Sequence, residues 1–217
     1  MTQSLFNVIY DMDLKEICKL SELDVLFTIL SGAAHDMDHP GTNSIFEIKC
    51  RSKMALLYND TSVLENHHAA SFFFMIDNQS QGCDIFTSLS NKEKDEARKV
   101  IIDNILGTDM TRHGAIMKEM QDIASQPVES RNMHDKNKAA VLRALVHAVD
   151  IGNPTRCYSV ALDWARRIVK EFFYQGDRER SLGLDISMLC DRNTNNFASG
   201  QVGFINFMIV PYFKVLT

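Results

Sequence analysis

The sequence predicts an all-helical fold. Apolar residues recur mainly three and four positions apart, the repeat that lines one face of a helix, and the strict alternation of a strand is hard to find. The residues that punctuate turns are scarce, 4 Pro and 10 Gly in 217. Two Ser-x-x-Glu sequences, Ser62 to Glu65 and Ser90 to Glu93, match the capping box, in which the two side chains satisfy the free amides of a helix's first turn.

Taken in order, the first expected helix is Leu14–Ala34, whose second half is the apolar stretch Leu26 to Ala34. Ser62–Asp77 follows, opened by its capping box and carrying Phe72-Phe73-Phe74, which reads as core. Lys92–Leu106 begins just after Ser90, and its mixed-sign run Lys92 to Lys99 is the solvated face of a helix. Thr111–Ile123, Lys136–Val149, Ser159–Gln175 and Asn195–Phe213 rest on apolar spacing alone. There is no internal repeat, no low-complexity segment and no Pro-, Gly- or Ser-rich linker, so residues 1–217 are expected to form a single domain, or part of one.

With 45% apolar and 24% charged residues the chain has the profile of an ordinary globular protein with one sizeable core. Its 23 Lys and Arg against 28 Asp and Glu give a net charge of −5 with no basic stripe, which argues against nucleic acid and against an anionic membrane surface. No apolar run is long enough to span a bilayer, and the N-terminus lacks a signal pattern. Five widely spaced cysteines, none in a Cys-x-x-Cys pair, fit neither a disulfide framework nor a thiolate zinc site; a reducing, cytoplasmic setting is expected.

The densest chemistry lies at the end of the first helix, where His35, Asp36, Asp38 and His39 fall within five positions. Imidazole nitrogen with carboxylate oxygen suits zinc and its neighbours, whereas an all-oxygen set would suit magnesium or calcium. Asp150, closing another apolar run far downstream, can complete such a site only through tertiary folding. Between them, Glu65-Asn66-His67-His68 adds a carboxylate and two imidazoles, costly groups to bury without a shared purpose. Glu65 has two readings, a helix cap and a carboxylate aimed into a pocket, and they are compatible.

Six segments stand in a fixed order: His35-Asp36-x-Asp38-His39-Pro40-Gly41, Tyr58-Asn59-Asp60-x-Ser62-Val63-Leu64-Glu65-Asn66-His67-His68, Thr108-Asp109-Met110, Asp150-Ile151-Gly152-Asn153-Pro154-Thr155, Phe172-Phe173-x-Gln175-Gly176-Asp177 and Gln201-Val202-Gly203-Phe204-Ile205. Together they closely resemble the catalytic domain of the eukaryotic class I cyclic nucleotide phosphodiesterases. The resemblance implies a compact multi-helix, HD-domain-like fold holding two divalent metals, a tight Zn²⁺ and a looser Mg²⁺ or Mn²⁺. It implies His35, Asp36 and Asp150 as ligands of the tight site, Asp36 bridging to the second, and a hydroxide shared by the two as the nucleophile. His39 and Glu65 would orient that hydroxide, Asp38 and His67 would be supports, and Thr108 and Asp109 would be pocket or water partners. Gln201 and Phe204, one helical turn apart, would read and stack on the nucleotide base, with Ile168 as the opposite wall, Trp164 one turn earlier and Asn153 near the base. Without the family, Trp164, Ile168 and Phe204 read as core.

The implied activity is hydrolysis of 3′,5′-cyclic nucleotides, cAMP or cGMP, to 5′-monophosphates. The family also carries a His-Asn-x-x-His segment just before the region matched by Thr2-Gln3, supplying the general acid and a fourth tight-site ligand, and further helices after the Gln-x-x-Phe helix. These 217 residues are therefore expected to be a central piece of the domain, with little activity alone: a lost general acid costs roughly 10²–10⁴ in rate. The alternative is a short nucleotide- or partner-binding module without turnover. A different metal-dependent phosphohydrolase built on a His-Asp core is a third reading, against which Gln201, Phe204 and the Glu65 to His68 run all count.

Overall fold

A computed structural model describes residues 1–77, 82–126 and 135–216. Among them there is no strand. The helices are, in order, α1 (Thr2–Asp11), α2 (Leu14–Ile17), α3 (Glu22–Ala34), α4 (Ser44–Lys49), α5 (Lys53–Leu57), α6 (Val63–Asp77), α7 (Asn91–Leu106), α8 (His113–Ala124), α9 (Asp135–Asp150), α10 (Tyr158–Ser181), α11 (Phe197–Phe204) and α12 (Val210–Leu216). The chain divides into two compact units, Met1–Asp38 with Glu65–Asp150, and His39–Leu64 with Ile151–Thr217.

In the first unit α3 is buried on two sides. Phe27 and Ala34 pack with Phe72, Phe73 and Ile76 of α6 and with Ala97, Ile101 and Ile105 of α7. Val25 joins a second cluster containing Leu5 and Ile9 of α1 and Leu142, Leu145 and Val146 of α9. A helix so enclosed must satisfy its own polar groups, and Thr28 and Ser31 do so by donating their hydroxyls to the carbonyls of Asp24 and Phe27, each at 2.7 Å. Asn104 of α7 donates to Ser31 Oγ at 3.1 Å.

The expected helix Leu14–Ala34 is two. α2 stops at Ile17, Lys19 takes a left-handed φ of 51°, and Ser21 starts α3 afresh through a capping box with Asp24. That carboxylate also receives Lys138 Nζ of α9 at 3.0 Å, so the break is anchored by charge as well as by the cap. α1 was not expected; Leu5 and Ile9, one turn apart, bury fully and give it a core face. The capping box at Ser90 and Glu93 forms as read. Ser62 instead has φ 42°, unlike the extended backbone of the Ser21 and Ser90 caps. The expected helix Thr111–Ile123 opens with a 3₁₀ turn, Met110–Arg112, before α8.

In the second unit α10 runs past the expected end at Gln175 because polar residues of its last turns are claimed from inside. Gln175 Oε1 accepts from the Asn43 amide at 2.8 Å, and the fully buried Glu179 carboxylate accepts from the Ser187 amide at 2.7 Å and its hydroxyl at 2.5 Å. Gly176, on the same side, admits the Cys190 carbonyl so closely that a Cβ there would lie 2.0 Å from its oxygen. The short helices α4 and α5, also not expected, are capped by Asn43 and Ser52. The expected helix Asn195–Phe213 is α11 and α12 joined by a π turn, Ile205–Ile209. The turn sits just before Pro211, which lacks an N–H and would crowd the carbonyl one turn back in a regular helix.

All five cysteines are free thiols. No helix among the described residues is long and apolar enough to cross a membrane.

Candidate metal centre

Two helix ends of the first unit make the site. His35 is the C-cap of α3 and Asp150 the last residue of α9. His35 Nδ1 donates to the Gly32 carbonyl at 2.9 Å, which fixes the ring and turns Nε2 outward. That Nε2 lies 3.2 Å from Asp36 Oδ2 and 3.2 Å from Asp150 Oδ1, and one atom from each of the three residues lies within 4.8 Å of the others. The imidazole is 15% exposed against 61% for Asp36, so the cluster opens to solvent on the aspartate side.

Burial alone would lower the His35 pKa, but hydrogen bonds to Asp150 and Asp36, and their charges, raise it to about 10. The pair of carboxylates thus holds a positive charge between them, a proton in this state. Glu65, in the first turn of α6, is moved the other way from a carboxylate's usual range. Burial dominates, the charges of Asp109 and Asp36 add to it, and its pKa rises to about 7 despite a backbone hydrogen bond and Arg112. Its Oε2 is buried with no hydrogen-bond partner among the described residues. An orphaned carboxylate oxygen facing two further acids wants a donor or a cation. One imidazole nitrogen, two converging carboxylates and this orphan fit a divalent metal centre.

Around the cluster, His67 Nε2 pairs with Asp38 Oδ2 at 2.8 Å, and the buried His68 donates from Nδ1 to the Met37 carbonyl at 2.7 Å. Asp109 Oδ1 accepts from the Thr111 amide at 2.8 Å, while the Thr108 hydroxyl is spent on the Ile105 carbonyl at 2.8 Å. Sequence reading gave no role to His68, nor to His113 and His147. These last two form a buried pair, Nδ1 to Nε2 at 3.0 Å, between α8 and α9, each with its pKa lowered chiefly by burial. Their pairing is a product of helix packing; only the position of His147, one turn before Asp150, hinted at it.

The model of the family described as 3′5′-cyclic nucleotide phosphodiesterase matches residues 1–217. The chain belongs to this family. It is 41% identical over 199 residues to the 3′,5′-cyclic-AMP phosphodiesterase 4C of Rattus norvegicus, covering 89% of this chain and 37% of that protein. It is 45% identical over 198 residues to the dual specificity calcium/calmodulin-dependent 3′,5′-cyclic nucleotide phosphodiesterase 1B of Bos taurus, covering 91% of this chain and 36% of that one. The chain thus spans roughly a third of the length of these curated relatives.

The remaining residues singled out by the phosphodiesterase resemblance lie in the second unit. His39 is exposed, its Nδ1 accepting from the Gly41 amide at 3.0 Å. Asn153 opens a 3₁₀ turn, Asn153–Thr155, and is half-buried, as is Ile168 on α10. Gln201 and Phe204 stand one turn apart on α11, both half-buried. Phe204 lines a cleft of about 750 Å³ with Leu189, Asn196, Gly200 and Met208, which Gln201, Asn153 and Ile168 do not line. The reading of Trp164, Ile168 and Phe204 as core is corrected, since none is buried and Trp164 is 49% exposed.

Proposed function

We propose that this chain carries the metal-binding part of a phosphodiesterase active site and serves hydrolysis of 3′,5′-cyclic nucleotides to 5′-monophosphates. The observation that supports it most is the convergence of Asp36 and Asp150 on His35 Nε2, each at 3.2 Å. Family membership supports the substrate class, and the names of the two relatives cover cyclic AMP and dual specificity. In this reading His35, Asp36 and Asp150 would hold a zinc ion, and Asp36 would also serve a second ion, magnesium or manganese. Bound there, such cations would supply Lewis acidity and would lower the pKa of a water toward neutral pH.

The chain's own residues contribute a proton acceptor and base recognition. Glu65, with a pKa of about 7, can accept and return a proton at physiological pH, and the exposed His39 imidazole assists in orienting water. Gln201 offers one donor and one acceptor to a purine edge, Phe204 a stacking face, and Ile168 and Asn153 complete base recognition. Residues 1–217 then form part of one catalytic domain.

The test is Asp36→Ala in the full-length protein, read as conversion of cyclic AMP and cyclic GMP to monophosphate with added Zn²⁺ and Mg²⁺. Turnover should fall by at least about 100-fold, the upper range for a lost outer-shell partner, because a ligand is lost. Turnover near wild type would sink the reading; nucleotide binding by the wild type without product would favour the non-hydrolytic module. Gln201→Ala should raise KM, with loss of about 1–3 kcal/mol of binding and unchanged metal content.

A further inference from the structure

Arg167, Arg178 and Arg180 of α10 each have a partner. Arg167 Nε donates to Asp163 Oδ2 at 2.9 Å, Arg180 reaches Asp177 at 3.3 Å and Asp191 at 2.8 Å, and Arg178 lies 4.7 Å over the Phe46 ring. Arg166 and Lys170 differ. One turn apart and both exposed, they have no carboxylate partner among the described residues, and Lys170 Nζ lies 5.7 Å over the ring of Tyr174 on the next turn. Like charges at this spacing work against a helix unless an anion offsets them. With Arg192 and the rings of Phe173, Tyr174 and Phe197 they line an open cleft of about 400 Å³ in the second unit, and no acidic residue lines it. Arg192 is already held in place: its Nε donates to Asp177 Oδ1 at 2.9 Å, its Nη2 to Asp177 Oδ2, and its guanidinium lies 5.4 Å over the Phe173 ring. Asp177 offsets the charge of Arg192, so the cleft is left with the two positive charges of Arg166 and Lys170.

A merely solvated helix face would interleave acids with these bases, as Asp163 does with Arg167; here the bases alternate with rings. Two charges beside flat apolar area suit a dianion carried on a ring system. A phosphate monoester brings roughly two negative charges at neutral pH, and an aromatic base brings the stacking area. The cleft's volume lies within the roughly 300–1,000 Å³ of small-molecule sites. We propose that this cleft is a second nucleotide site that takes nucleoside 5′-monophosphates. Arg166 and Lys170 hold the phosphate, Arg192 adds the donors it does not spend on Asp177, and Tyr174 and Phe197 offer faces to the base. Neither Gln201 nor Phe204, Ile168 or Asn153 lines this cleft, so it is distinct from the residues assigned to base recognition. The choice of a monophosphate rests on the function proposed above, in which it is the product. A cyclic phosphate is a diester with a single charge, so the cleft favours product over substrate.

Equilibrium dialysis of the full-length protein against labelled 5′-AMP counts the sites, and adenosine, cyclic AMP, inorganic phosphate and a phosphotyrosyl peptide as competitors rank the ligands. Wild type should bind two 5′-AMP per chain. In Arg166→Glu/Lys170→Glu one of these should weaken about 10–100-fold, the range for lost charge-assisted hydrogen bonds, with KM for cyclic AMP and Tm near wild type. Phe197→Ala should weaken the same site for 5′-AMP but not for inorganic phosphate. Should the double substitution lower Tm, Lys170→Ala is read in its place, with a smaller loss of the same kind. Unchanged 5′-AMP binding overturns the proposal, as does a matching rise in KM, which would place Arg166 and Lys170 in a single active site. Inorganic phosphate that competes as well as 5′-AMP, or a phosphotyrosyl peptide that competes better, overturns it in favour of an anion patch or a protein-docking surface. A protein that turned over no cyclic nucleotide yet lost 5′-AMP on charge reversal would sink the proposed function and leave the cleft standing.

Discussion

Glu65 keeps a buried carboxylate oxygen with no hydrogen-bond partner among the described residues. Burial, Asp109 and Asp36 raise its folded pKa to about 7 from an ordinary 4.5. A carboxyl group with a raised folded pKa contributes its stability below the unfolded value and loses it as pH climbs through the folded one. In cation-free protein Glu65→Gln should therefore match wild-type stability near pH 4 and exceed it at pH 8, by on the order of 1–2 kcal/mol once solvent screening of a half-buried group is allowed for. Denaturant titrations at the two pH values check this, and turnover should fall in the same variant. A Glu65→Gln protein that is less stable at both would return the residue to the capping role that the Ser62-x-x-Glu65 spacing had offered.

At the scale of elements, Gly176 carries a clear expectation. A Cβ there would meet the Cys190 carbonyl oxygen at 2.0 Å and its carbon at 2.7 Å, and backbone cannot swing aside as a side chain can. Gly176→Ala should destabilise the second unit by about 1–3 kcal/mol despite alanine's better helix propensity, read as a lower denaturation midpoint. The sequence carried the long helices well, because α6, α7 and α9 each run for 15 or 16 residues, at least four turns. It lost the short ones: α4 and α5 have six and five residues, too few for a period, and are marked only by Asn43 and Ser52 as caps. The break before α3 had its signal in Ser21-x-x-Asp24, overridden by the apolar run around it. Of the candidate site, the residue types of His35, Asp36 and the Glu65 segment were legible, because they cluster along the chain. The pairing of His113 with His147 and the aim of His68 at Asp36 were not, since each joins separate helices.

For the whole molecule, the metal centre should be visible as stability. Without a cation, the first unit brings Asp36, Asp150, Glu65 and Asp109 together, partly compensated by a proton on His35 and by Arg112. An ion bound only by the folded state stabilises by mass action, about 2.7 kcal/mol at a free concentration 100 times its Kd. For a unit of this size that corresponds to roughly 10 °C in Tm. Zinc must also displace the His35 proton, so binding at pH 8 should release about one proton, read as a dependence of calorimetric enthalpy on the buffer's ionisation heat. Chelation should lower the melting of this unit by that amount, and added zinc should restore it. Asp150→Ala sharpens the expectation, because it removes a ligand and a carboxylate at once: its Tm should be insensitive to chelator and to zinc alike, and should lie close to that of the chelated wild type. An Asp150→Ala protein that still gained stability with zinc would place the ion elsewhere in the molecule.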